Sequence, residues 1–204
     1  SCAVVHVEPA RWKRWSGGRG TVGRRAELAR LDQVGRELLA GTTGVLLFEG
    51  ELGVGKSRMV DELVARLRDE RCRVVVAYGT PGEVVALAPW RSVLLQLLGL
   101  EDDVGPKRCR ERLVEVLGDV EDELIAPLGD LLPLEPVSDR PEDPRAAHHT
   151  FDAVSQLIAQ LQRDMPLLVV LEDGQWLDSA SWSLARQLAL HGDRLLLAIT
   201  LRTE

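Results

Sequence analysis

The sequence contains no asparagine, and only three of its 25 Lys and Arg residues are lysines: Lys13, Lys56 and Lys107. The guanine-reading NKxD pattern of GTPases cannot be written in such a chain, and neither Lys13 nor Lys107 begins a KxD. Cysteine is scarce as well. Cys2, Cys72 and Cys109 form no CxxC pair, which argues against a disulfide framework or a zinc site and fits a reducing, cytoplasmic setting. No window approaches the ~18 unbroken apolar residues of a membrane span; the longest runs, such as Leu167–Leu171, are strand-sized. The first residues, Ser1-Cys2-Ala3-Val4-Val5, lack the basic start and apolar stretch of a signal peptide. A start on Ser rather than Met suggests a piece of something longer.

What is present is enough for a core. The 204 residues are 45% hydrophobic and 28% charged, with a formal net charge of −7. Residues 1–25 carry Arg11, Lys13, Arg14, Arg19, Arg24 and Arg25 against Glu8, a local +5 that leaves −12 on the remainder. Trp12 and Trp15 lie among these basic residues, but Ser16-Gly17-Gly18-Arg19-Gly20 follows at once and resists regular structure. Residues 1–20 therefore read as a linker or the tail of an upstream domain. The acidic remainder would repel a polyanion, so direct nucleic-acid binding by this segment is not expected.

Apolar spacing alternates between the helical and the strand period. Leu28, Leu31, Val34 and Leu38 make a helical stripe over Arg24–Ala40 that stops at Gly41. Val45–Phe48 reads as a short strand buried on both faces. Ser57–Glu70 is helical, Arg73–Tyr78 a β-branched strand, and Pro89–Leu98 and Lys107–Leu117 helical again. Residues 119–145 hold five of the ten prolines and read as an irregular excursion with at most short helices. A helix through Phe151, Val154, Leu157, Ile158 and Leu161 precedes the strand Leu167–Leu171; the helix Ser179–Leu190 and the strand Arg194–Thr200 complete the pattern. Such alternation predicts an α/β fold, a parallel sheet covered by helices.

Between the first strand and its helix lies Gly50-Glu51-Leu52-Gly53-Val54-Gly55-Lys56-Ser57, a match to GxxxxGK[ST]. Glycines at 50, 53 and 55 let successive N–H groups turn inward as an anion nest. The following helix adds its positive end. In this pattern Lys56 reaches the β- and γ-phosphates and the Ser57 hydroxyl ligates Mg²⁺. A second element, the apolar strand Leu167–Leu171, runs directly into Glu172-Asp173. Parallel α/β sheets place ligands at the carboxyl ends of their strands. Glu172 is assigned to the metal, through water, and Asp173 to polarising the attacking water. The two roles differ because adjacent side chains leave a strand on opposite faces. With the guanine signature absent, ATP is the expected nucleotide. His148 and His149 are helix neighbours that cannot converge on one metal, and His6 and His191 have no partners in the sequence.

Val22-Gly23-Arg24 with Glu27-Leu28, the loop Gly50–Ser57 with Arg58, Ala88-Pro89-Trp90, and Leu171-Glu172-Asp173 leading to Trp176-Leu177-Asp178 occur in an order that resembles one group. These are the AAA+/STAND-type, origin-recognition-like P-loop ATPase domains of large bacterial regulators. The resemblance spans about residues 21–202. Such domains sit in LuxR-type transcriptional regulators and behind class III adenylate/guanylate cyclase domains, usually followed by helical repeats. Trp176 to Trp182 looks most like the cyclase-associated version.

The resemblance implies a three-layer P-loop NTPase with sheet order 5-1-4-3-2. Its fifth strand and helical lid have no sequence left after Glu204, which leaves Val45–Phe48 as an exposed, aggregation-prone edge. It implies that Val22, Gly23 and Arg24 lie near the adenine, that Arg58 belongs to the nucleotide site, and that Arg202 senses the γ-phosphate. Trp176 and Trp182 read as packing residues; Asp178 is an N-cap or a ligand. Gln175 and Glu172 stand where the family often has His and Asp, departures that bear on hydrolysis rate more than on binding. The expected function is a slowly hydrolysing, Mg²⁺-dependent ATP switch that signals to flanking domains and self-associates. The rivals are a nucleotide-gated scaffold without turnover and, behind it, a small-molecule kinase.

Overall fold

The computed structural model describes residues 24–68, 70–118, 122–129, 131–135, 146–162 and 165–203. The expected linker over 1–20, and Val22 and Gly23, lie outside these residues. Four strands, β1 (Gly44–Gly50), β2 (Arg73–Tyr78), β3 (Leu167–Glu172) and β4 (Leu195–Arg202), form one parallel sheet in the order β1-β4-β3-β2. The fold is α/β, as the alternating periods predict, and the order reproduces the 1-4-3-2 portion of the expected sheet.

Helices α1 (Arg25–Leu39) and α2 (Lys56–Arg68) cover one face. Helices α3 (Ala88–Leu98), α4 (Pro106–Leu117), α5 (Asp122–Leu128), α6 (Ala146–Leu161) and α7 (Ser179–His191) build the other side. Strand alternation decides which core each residue enters. Val74, Val76, Leu168, Val170, Leu196 and Ala198 meet α1 and α2 through Leu31, Leu38, Val60 and Leu63. Val75, Ala77, Leu167, Val169, Leu171, Leu195, Leu197 and Ile199 meet Trp90, Leu94, Val154, Leu157 and Leu184. The central strand β3 is buried throughout.

The two sheet edges are treated differently. At β2, Gln96 of α3 donates through Nε2 to the Val76 carbonyl (2.7 Å), and its Oε1 accepts from the Val76 N–H (3.2 Å). One amide side chain thus occupies backbone groups that an added strand would otherwise claim. β1 has β4 on one side and no described strand on the other. Val45 and Leu47 are therefore 37% and 48% exposed. This corrects the reading of Val45–Phe48 as buried on both faces: an unbroken apolar run fits a central and an edge strand equally well, and only the sheet order separates them.

Pairing register aligns the carboxyl ends of the strands. Gly50 lies opposite Arg202, Phe48 opposite Thr200, Leu171 opposite Ile199 and Tyr78 opposite Glu172. The glycine-rich loop, the two carboxylates and the end of β4 therefore share one rim of the sheet.

Candidate functional site

At that rim, β1 leads through residues 51–55 into α2. Gly53 and Gly55 take φ of +83° and +91°, values that L side chains rarely adopt. The loop delivers the chain to the first turn of α2, which holds Lys56, Ser57 and Arg58 and no acidic residue. A helix start carries partial positive charge, and acidic side chains are what normally offset it. Here the sequence supplies two basic residues instead, so the N-terminus of this 13-residue helix is electrostatically set for an anion.

Lys56 folds back across the loop, its Nζ donating to the carbonyls of Gly50 (2.7 Å) and Glu51 (2.8 Å). An ammonium has three donors, so two of them fix the side chain over the loop. The Gly50 carbonyl also accepts from the Thr203 N–H (3.3 Å), which ties the segment after β4 to the start of the loop. Arg24, just before α1, donates to the Val54 carbonyl and lies 4.0 Å from Glu27. Thus Arg24 reaches the loop across thirty residues of sequence. Arg58 pairs along its own helix with Glu62 at 3.6 Å.

Glu172 ends β3 at 8% exposure. Its Oε2 accepts from the Ser57 hydroxyl (3.3 Å) and from the Thr200 hydroxyl (3.1 Å). Burial pushes its carboxyl above the ordinary 4.5, against the two hydroxyl hydrogen bonds, and the nearby charges of Asp173 and Asp61 push it the same way. The donor set is all oxygen and hard, which suits Mg²⁺ rather than zinc. Among the described residues no group of three or more His, Cys, Asp or Glu side chains converges on one metal position. A hard cation at this position would meet two protein oxygens, those of Ser57 and Glu172, with water completing its shell.

Asp173 is not part of the strand. Its backbone turns into the left-handed region (φ 52°, ψ 48°) and leads into a 3-10 turn, Gly174–Trp176. The two carboxylates diverge because the chain turns between them, not because a pleat alternates. The turn is held closely: the Asp173 N–H donates to Thr200 Oγ1 (2.9 Å), and a Cβ at Gly79 would sit 2.5 Å from the Asp173 carbonyl oxygen. The Asp173 Oδ1 accepts from Arg202 Nε (3.0 Å) and Gln175 Nε2 (2.9 Å), and Arg202 Nη2 lies in ion-pair range of it at 3.0 Å. Gln175 Oε1 accepts in turn from the Arg202 backbone N–H (3.2 Å).

The structure therefore brings Gly50, Gly53, Val54, Gly55, Lys56, Ser57, Arg24, Glu172, Asp173 and Arg202 to one rim. One expectation changes and one open alternative is decided. Trp176 does not pack in the core but is 46% exposed, whereas Trp182 packs against it. Asp178 is the N-cap of α7: its carboxylate accepts from the Ser181 N–H (2.9 Å) and hydroxyl, and from the Leu87 N–H (3.2 Å). Sequence reasoning also missed Thr200, which is 2% exposed and joins both carboxylate positions. The only signal was a lone hydroxyl within the apolar run Leu195–Leu201.

Comparison with known proteins gives the same family that the motifs suggest. A family model described as an AAA ATPase domain matches residues 21–199. A protein of Rhizobium meliloti (strain 1021), described as uncharacterized, is 27% identical over 180 residues, which are 82% of this chain and 17% of that protein. The chain thus spans about a sixth of the length of that relative. The structure of the Aeropyrum pernix ORC2 protein in ADPNP and ADP complexes superposes with a TM-score of 0.44 at 16% identity, covering 90% of this chain and 42% of that one.

Proposed function

This chain belongs to the AAA ATPase domain family, and we propose that it binds ATP with Mg²⁺ at the Gly50–Ser57 loop and hydrolyses it slowly. The observation that carries this reading is the 3.3 Å contact between Ser57, at a basic helix start, and the buried Glu172. An anion-favouring helix end and a carboxylate suited to a hard cation meet there. A nucleoside triphosphate with its metal matches both.

In this reading the loop N–H groups and the α2 dipole hold the phosphates. The third Lys56 donor reaches a β- or γ-phosphate oxygen, and Arg24 lies toward the base. Arg58 borders the phosphates from the first turn of α2. Ser57 and Glu172 hold Mg²⁺, which supplies Lewis-acid stabilisation of the charge developing on the phosphates. Asp173 orients water for in-line attack and takes its proton as the new O–P bond forms. The bond from the γ-phosphorus to the bridging oxygen breaks, and ADP leaves with the electron pair. Arg202 stabilises the transferring group.

The relative's greater length supports a module within a longer protein; in this reading that protein is cytoplasmic, and the module is regulatory, passes its nucleotide state to flanking domains and self-associates. A transcription-regulating output or a cyclase output would each fit that arrangement. Among the described residues no helix is long and apolar enough to cross a membrane.

Lys56→Ala tests the site. ATP affinity should fall by roughly 100-fold, given the strength of charge-assisted contacts, and unchanged affinity by equilibrium titration would sink the assignment. A second reading, a nucleotide-gated scaffold without turnover, is favoured by one observation: Arg202 and Gln175 already occupy Asp173 Oδ1. Single-turnover hydrolysis separates the two.

A further inference from the structure

Gln175 makes a contact pattern that the proposed chemistry leaves unused. Its amide reaches in two directions, donating to Asp173 Oδ1 (2.9 Å) and accepting from the Arg202 backbone N–H (3.2 Å). The Arg202 side chain closes the loop, Nε donating to that same Oδ1 and Nη2 lying in ion-pair range of it, at 3.0 Å each. A carboxylate has about four lone-pair sites over its two oxygens. Two hydrogen bonds fill the share of one oxygen, so Oδ1 has no lone pair left for a water while this triangle is closed.

The Arg202–Asp173 pair is also built to open. Both guanidinium nitrogens approach one oxygen rather than spanning two, so the pair lacks the two-oxygen fork that makes such contacts strong. The two side chains are 44% and 37% exposed, and exposed ion pairs contribute little. Removing the Arg202 side chain from Oδ1 would leave the Gln175 amide holding both the carboxylate and the Arg202 backbone.

We infer that Gln175 is a positioning residue: it holds Asp173 in place while the Arg202 side chain transfers from Asp173 to the γ-phosphate, which opens Oδ1 to the attacking water. This rests on the ATPase reading above. The triangle keeps Oδ1 occupied until a γ-phosphate competes for the guanidinium, and ADP has no group at that position. The hydrolytic step itself is unchanged: water forms the new O–P bond, its proton goes to Asp173, and ADP departs with the bridging electron pair.

The test compares the 204-residue chain with Gln175→Met, which keeps length without polarity, and Gln175→Glu, which keeps the acceptor for Arg202 but loses the donor to Asp173. Both variants should lower the single-turnover hydrolysis rate by roughly 10- to 100-fold, the scale expected for a misplaced catalytic group. ATP and ADP dissociation constants should stay within about twofold, as should KM, because the contact touches neither phosphates nor loop. Melting temperatures should match wild type, which separates positioning from loss of fold. Wild-type rates in either variant overturn the inference, as does a parallel loss of rate and affinity. Lys56→Ala is the control for the underlying reading. If it binds Mg·ATP as wild type does, the site itself is misassigned. If it loses binding while the Gln175 variants hydrolyse normally, only the role of Gln175 fails.

Discussion

Replacing Asp178 with alanine separates a structural carboxylate from a catalytic one. Its Oδ1 accepts from the Ser181 N–H, and Oδ2 from the Leu87 N–H and the Ser181 hydroxyl. Losing an N-cap side chain costs about 1 kcal/mol. Leu87 is 7% exposed and precedes α3 in a left-handed conformation (φ 60°), so its N–H finds no ready water. An orphaned buried donor of this kind adds about 1–3 kcal/mol. The Ser181 hydroxyl can turn to a carbonyl one helical turn back and adds little. The expected loss is roughly 3 kcal/mol, read as a lower urea midpoint at unchanged m-value. Asp178→Asn, which keeps an acceptor oxygen, should cost about 1 kcal/mol.

The pH dependence carries a sign. Burial opposes ionisation of Asp178, but hydrogen bonds from Ser181, Leu87 and Ala180 outweigh it and hold the carboxyl below 3.8. Its contribution is therefore complete above the unfolded-state value and is lost as pH falls through the lower folded one. The gap between wild type and Asp178→Ala should be constant from pH 7 down to about 5 and narrow only below 4. ATP affinity should not change. A variant that keeps its stability but no longer binds nucleotide would refute the N-cap role and restore Asp178 as a ligand.

Three further outcomes follow from other parts of the molecule. Thr200→Val keeps the shape but leaves the Asp173 N–H without its acceptor and Glu172 without a donor; it should cost about 2 kcal/mol in chemical denaturation. The same variant should slow hydrolysis more than it weakens ATP binding, and equal losses in both would argue against a specific role. Leu47→Lys, at the exposed edge of the sheet, should reduce light scattering on concentration by several-fold while leaving nucleotide affinity unaltered. Burial pushes the Cys72 thiol up to about 12 and raises that of the fully buried Cys109. Neither should be alkylated at pH 8 in the native chain, and rapid modification detected by mass spectrometry would contradict their packing.

Much of this architecture could be read from the sequence because its signals are local. The helical stripe Leu28-Leu31-Val34-Leu38, the glycines before Lys56 and the apolar run before Glu172 each act within one element. The structure returns α1, the loop and β3 with boundaries shifted by one or two residues. What was hidden depends on pairs distant in the chain. Gln96 covers the edge of β2 across 20 residues, Asp178 caps Leu87 across 91, and Thr200 meets Glu172 across 28. No periodicity reports such contacts, because register is set only when the sheet assembles. Glu172 and Asp173 show the same limit most sharply. Strand alternation separates their side chains correctly but for the wrong reason, since Asp173 has already left the strand. A carboxylate on a pleat would point wherever its strand points. One on a left-handed turn points where Gly79, Thr200, Gln175 and Arg202 hold it, so its direction is fixed by contacts from beyond its own strand rather than by a pleat.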